Sequence, residues 1–234
     1  MAADALLFTC EHGGNRIPAP YRSLFRGYDG ILNTHRGYDA GALLMARTLA
    51  LSFKAPLVSS TISRLLIDLN RSLGHPTIFS EATRGAPATQ RAQIIARHYL
   101  PYRLRVESLV GKSVAQGRRV VHISAHSFTP ELCGKVRNAD VGLLYDPRRE
   151  SEAKLCAAWK KLLAQEVPQL RVRRNYPYAG KGDGLTSHLR RRFPDAAYLG
   201  IELEINQQIV NARGRRWTSL RKVLTDTLRR ACAF

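Results

Sequence analysis

Acidic residues are scarce in this chain of 234 residues: 18 Asp and Glu stand against 37 Lys and Arg, for a formal net charge of +19. A field of that sign attracts anions, which admits two partner classes: an acidic small molecule steered into a cleft, or a nucleic acid. What else is missing separates them. There is no Lys/Arg tail, and the basic groups, such as Arg103/Arg105, Arg148/Arg149 and Arg190 to Arg192, are scattered without the interleaved aromatics of an RNA-binding motif. The charge reads as a solvated basic surface, with nucleic acid as the alternative. Long apolar runs are absent too. The opening MAADALLFTC contains Asp4 and no basic stretch, so neither a membrane span nor a secretion signal is visible. The only cysteines, at 10, 133, 156 and 232, form no C-x-x-C pair and no dense pattern, which excludes a disulfide framework and makes reduced thiols in a cytoplasm the expectation. Repeats, low-complexity segments and linkers are lacking, and a hydrophobic content of 44% suffices for a sizeable core. One domain over 1–234 is expected.

What is present alternates between two periodicities. Short apolar runs at 5–9, 55–60, 119–124, 140–145, 170–175 and 197–205 read as strands. Helical spacing covers 41–53, 89–116 with a break at Pro101, Glu150–Glu166, 185–193 and 217–232. Strands alternating with helices predict an α/β fold: a mostly parallel or mixed sheet with helices on both faces. Ligands in such sheets lie at the carboxyl ends of strands. Polar groups do gather there: Glu11 and His12 after the first predicted strand, His126 and Ser127 after the middle one, Glu204 and Asn206 at the last.

Neutral imidazole is the commonest zinc ligand, and a catalytic zinc takes about three protein ligands with one position left for water. Of the imidazoles near strand ends, His122 is flanked by Val121 and Ile123 and reads as a buried, satisfied residue, whereas His126 in the turn A-H-S-F is the stronger candidate. Glu202 and Glu204 are two apart in a strand, so both face one side while Ile201, Leu203 and Ile205 face the other. Either a wetted edge strand or a general base explains them, and strand geometry does not choose between the two acids. Asp39, just before a helix, is placed as an N-cap, with metal ligation as the alternative. Arg64, Asp68, Asn70 and Arg71 suit a carboxylate clamp or a surface salt-bridge cluster. Cys10, beside an apolar flank, reads as a buried thiol. H-E-x-x-H, G-x-S-x-G and the phosphate-loop frames are absent.

Taken together, C-E-H-G-G-N-R-I-P at 10–18, R-G-Y-D-A-G-A at 36–42, S-R-L-L-I-D-L-N-R at 63–71, S-A-H-S-F at 124–128 and L-E-I-N at 203–206 resemble the N-formylglutamate amidohydrolase family. The resemblance implies a phosphorylase/hydrolase-like fold related to zinc carboxypeptidases and aspartoacylases, and hydrolysis of an N-acyl amide on an acidic amino acid. It also implies Zn2+ as cofactor. His12 and His126 then look like metal ligands, with Asp39 the third ligand or its orienter and Glu11 the alternative carboxylate. Glu204 would be the base for an activated water, and Arg64 and Arg71 would bind substrate carboxylate, with Asn70 and Asn206 beside them. Two departures stand out. Asn15 occupies the place three after His12 where the carboxypeptidases carry Glu, and Asn206 stands where family members often carry Arg. A basic module binding nucleic acid without catalysis, and an amidase acting on a peptide or cell-wall fragment, are the rival readings.

Overall fold

The apolar run that opens the chain contains no turn residue and forms β1 (Ala5–Cys10). In the computed structural model the described residues are 4–212 and 214–233; residues 1–3, part of the stretch read for a signal, lie outside them. After β1 come α1 (Asp29–Leu32), α2 (Ala42–Phe53) and β2 (Leu57–Ser59), then α3 (Ala88–Ile94), a π-helical turn (Ile95–Tyr99) and α4 (Leu100–Ala115). β3 (Val120–Phe128) is followed by a hairpin of β4 (Glu131–Leu132) and β5 (Lys135–Val136), then β6 (Val141–Leu144), α5 (Glu150–Glu166) and β7 (Val172–Arg174). The chain closes with α6 (Leu185–Arg192), β8 (Tyr198–Asn206), α7 (Gln207–Asn211) and α8 (Gly214–Ala231).

Six strands make one mixed sheet in the order β2-β1-β3-β8-β6-β7. The first four are parallel; β6 runs antiparallel to β8 and parallel to β7. Side chains alternate between faces, so Phe8, Ile123, Ile201 and Leu203 turn to one side and pack with α2, α5 and α8 around the buried Trp159. The opposite face packs Leu7, Val120 and Tyr198 against Val106, Val110, Leu185 and Leu189 of α4 and α6. Helices cover both faces, as expected. Among the described residues no helix is long and apolar enough to cross a membrane. Part of the basic excess is internal. Arg190 is nearly buried and reaches Glu152, the Gly180 carbonyl and the Gly200 carbonyl, while buried Arg103 donates to the Leu69 carbonyl.

Two local expectations change. The predicted break at Pro101 is a π turn just before it, so 88–115 stays helical. Proline lacks the donor that would reach residue 97, and its ring would strike that carbonyl in a regular α-helix; one wider turn accommodates both. The middle strand also runs four residues beyond 124. All nine residues of β3 are buried between β1 and β8, so its polar side chains do not mark a strand end.

Candidate metal centre

His12 lies two residues past β1, where the chain turns under β2's exit. Gly13 makes that turn possible: a Cβ there would sit 2.7 Å from the Ser60 carbonyl oxygen, and its N–H donates to that oxygen at 3.0 Å. The His12 carbonyl accepts from the Asp39 N–H at 2.9 Å, which fixes the distant 36–42 segment against the strand end. Asp39 does not cap α2. The N-cap is Gly41, at φ +79°, with no side-chain bond, and the Asp39 carboxylate turns instead to the imidazoles. A glycine suits the capping position because that φ is left-handed. His126, expected in a turn, is the seventh residue of β3 and pairs in register with Glu204.

His12, Asp39 and His126, all buried, place ligand atoms within 4.8 Å of one another and form a group that could hold a metal ion. Asp39 Oδ2 is 2.8 Å from His126 Nδ1 and 3.3 Å from His12 Nδ1. The other nitrogen of each ring faces another carboxylate: His12 Nε2 is 2.7 Å from Asp68 Oδ1, and His126 Nε2 is 3.1 Å from Glu11 Oε2. Asp68 is in turn held by Arg64 at 2.8 Å. Glu11 accepts from Ser124 Oγ at 2.5 Å and from Tyr102 OH at 2.7 Å. Metal-bound histidines commonly donate their second N–H to such a carboxylate, which sets tautomer and ring plane.

The electrostatics fit a cation. Arg71 stands on the cavity wall, and four buried carboxylates, Glu11, Asp39, Asp68 and Glu204, surround Arg64 and two imidazoles. Burial opposes charge on all of them, yet hydrogen bonds from His126, Ser124 and Tyr102 hold Glu11 well below the usual carboxylate range. The facing imidazoles, with Arg64, likewise hold Asp39 far down despite its burial. Both imidazoles are pushed up by the acids around them, against desolvation. The site thus recruits positive charge, and a dication bound by two neutral Nδ1 atoms and Asp39 would supply it.

Glu204 lies in the same cavity, of about 260 Å³. Burial pushes its pKa from 4.5 up to about 7, with Asp39 and Glu202 adding to the rise. Its Oε2 is buried without a hydrogen-bond partner. Glu202, on the same face, accepts from Thr186 Oγ1 at 2.9 Å and shows no such orphaned oxygen.

The arginine clamp comes apart. Arg64 lines the cavity but pairs with Asp68 and, at 3.4 Å, with Asp39. Arg71 also lines it; one amino group donates to the Asp183 carbonyl at 2.7 Å, and its Nε is buried with no partner. Asn70 is at the wall, its Oδ1 accepting from the Leu185 N–H at 2.7 Å. Asn206 does not line the cavity: its Oδ1 caps α7 through the Gln208 N–H at 2.9 Å, and its Nδ2 donates to the Ala139 carbonyl at 2.8 Å. Sequence reasoning gave no role to Tyr178, which lines the cavity on a loop fastened by Asn175, whose Oδ1 accepts from the Tyr145 and Gly180 N–H groups. Cys10 is a buried thiol pushed up by desolvation.

His122 is satisfied outside this group, with Nε2 2.8 Å from Thr9 Oγ1 and Nδ1 2.7 Å from Tyr198 OH. Burial pushes its pKa down to about 4, so it stays neutral. Tyr198→Phe leaves one ring nitrogen buried and unpaired and is expected to lower stability by about 1–3 kcal/mol in denaturant unfolding. Unchanged stability would show that the network contributes nothing.

Comparisons with known proteins bear on the family and the fold. The sequence model of the N-formylglutamate amidohydrolase family matches residues 4–210. A gene product from Agrobacterium tumefaciens has a similar crystal structure, with TM-score 0.83 and 30% identity over 98% of this chain and 91% of that one. A Ralstonia eutropha N-formylglutamate amidohydrolase shares the fold at TM-score 0.68 and 21% identity, over 98% of this chain and 93% of that one. No curated protein matches the chain.

Proposed function

Since the chain belongs to the N-formylglutamate amidohydrolase family, we propose that it is a zinc-dependent hydrolase of a linear N-acyl amide on an acidic amino acid. The observation that carries this reading is one cavity holding two imidazole Nδ1 atoms and a carboxylate in convergence beside a buried, unpartnered Glu204. His12, Asp39 and His126 would hold the ion. When bound, zinc polarises the scissile carbonyl and lowers the pKa of a water towards ~7.

The remaining work falls to side chains. Glu204 takes a proton from the attacking water and returns it to the amide nitrogen as the carbon–nitrogen bond breaks, giving a free carboxylate and an amine. A carboxylate whose pKa lies near neutrality is suited to both transfers. Arg71 anchors the α-carboxylate through its unpartnered Nε, with Asn70 shaping the wall beside it. Arg64, paired with Asp39 and Asp68, orients the ligand shell more than it contacts substrate. Asn206 acts as a helix cap.

The expected outcome on purification is about one zinc per chain, with deformylation of N-formyl amino acids lost to a chelator and restored by zinc. Full activity in protein stripped of metal would overturn the reading. A screen of acyl lengths and of muropeptide-like amides places the substrate, and a steep salt dependence of nucleic-acid binding with no hydrolysis would favour the binding-module alternative.

A further inference from the structure

Pairing of Arg64 leaves the cavity with fewer free cations than the sequence suggested, and the structure sets another behind its wall, against Tyr178. Arg137 follows the β4–β5 hairpin, and its N–H donates to the Pro130 carbonyl at 2.8 Å. Its guanidinium lies over the ring of Tyr178, 4.9 Å from the centroid, and over that of Phe128 at 6.0 Å. Tyr178 lines the cavity, and Phe128 follows the lining residue Ser127. The neighbouring Asn138 N–H donates to Tyr176 OH at 2.9 Å, so hairpin exit and cavity loop are fastened together. Two aromatic faces hold the guanidinium plane while leaving its edge free to donate.

That edge is unused. Arg137 Nη1 is buried with no hydrogen-bond partner, and among the described residues no carboxylate lies within ion-pair distance of it. Arg137 stands near enough to His35 that, after partial burial, its charge with those of Arg36 and Arg64 lowers the proton affinity of that imidazole. Buried donors left unsatisfied call for an explanation, and a ligand group is one.

We propose that Arg137 is a specificity-determining residue that takes a second anionic group of the substrate beside Tyr178, the first being held by Arg71. This rests on the amide-hydrolase reading for its reaction, but not for its binding test. N-formylglutamate and N-formylglutamine are nearly the same size and differ by one carboxylate. Zinc-loaded protein is titrated calorimetrically with each compound in a Glu204→Gln background, which slows turnover, and assayed for hydrolysis of each with Glu204 in place, as wild type, Arg137→Gln and Arg137→Lys at position 137, with thermal midpoint and zinc content as controls.

Wild type is expected to favour the dianion by about tenfold or more in Kd and in kcat/KM. Arg137→Gln removes that preference while changing the Kd of N-formylglutamine by less than about twofold, and Arg137→Lys recovers part of it. Should Arg137→Gln lose its fold, Arg137→Met keeps the stem over both rings and takes its place. An equal fall for both compounds, a preference that survives the substitution, or wild type binding both alike overturns the assignment. Dianion-selective binding without hydrolysis of either compound overturns the amidase reading alone.

Discussion

Glu204→Gln is expected to lower kcat on the order of 10²–10⁴-fold while zinc stays bound, because the substitution keeps shape and polarity but removes the proton acceptor. The same change should stabilise the metal-free protein. Glu204 is fully buried and titrates at about 7 in the fold against 4.5 for an ordinary glutamate. A carboxyl whose folded value is raised contributes its stabilising share below pH 4.5, and that share is lost as pH climbs from there through 7. At pH 8 the buried charge therefore costs up to about 3 kcal/mol, which glutamine does not pay. Unfolding of metal-free wild type and variant should coincide near pH 4 and separate above pH 7, with the variant the more stable. A bound dication favours the carboxylate, so in the loaded enzyme the acid limb of kcat/KM should fall below pH 7. Activity within a few-fold of wild type in Glu204→Gln would remove Glu204 from the reaction. Equal stability at pH 8 would show that its charge is not confined by burial.

Helices and strands were largely readable because each buries one stripe or one face, and that pattern is written in the spacing of apolar residues. Glu150–Glu166 has the predicted bounds. The middle strand fails the rule for a physical reason: Ser124, His126 and His122 share the face on which Glu11, Thr9, Tyr198 and Glu204 pair with them, so a strand core with polar contents looks like a loop. The convergence of His12, His126 and Glu204 follows from parallel strands whose carboxyl-terminal parts lie side by side, although His126 and Glu204 sit within their strands and only His12 lies past the end of its own. Which carboxylate stands behind which imidazole was not legible in the sequence. Asp68 and Glu11 are 56 and 115 residues from the histidines they face, and only the tertiary arrangement assigns them. Arg137 had one available signal, the Cys133-Gly134 turn with φ of +50° and +73°, whose X-Gly dipeptide between short runs marks a hairpin.

The choice between Asp39 and Glu11 as third ligand, open in the sequence, becomes a difference in magnitude. Asp39 Oδ2 faces the Nδ1 atoms of both rings, inside the space where an ion would sit, whereas Glu11 touches His126 from behind through Nε2. With the proposed ligand set, removing Asp39 leaves two imidazoles, fewer than the three protein donors a catalytic zinc uses, and also strips a buried anion from beside them. Asp39→Ala should therefore weaken zinc binding more than 100-fold, to the point that purified protein carries little metal. Glu11→Gln keeps a hydrogen-bond acceptor for the Nε2–H and loses only its charge, so a smaller loss of about 10–100-fold is expected. Competition against a chromophoric chelator at fixed pH measures both affinities. The order matters more than either value: if Glu11→Gln lost the metal while Asp39→Ala retained it, the ligand assignment would be reversed, and His126 would have to bind through Nε2, turned towards the Ser124 side of the sheet.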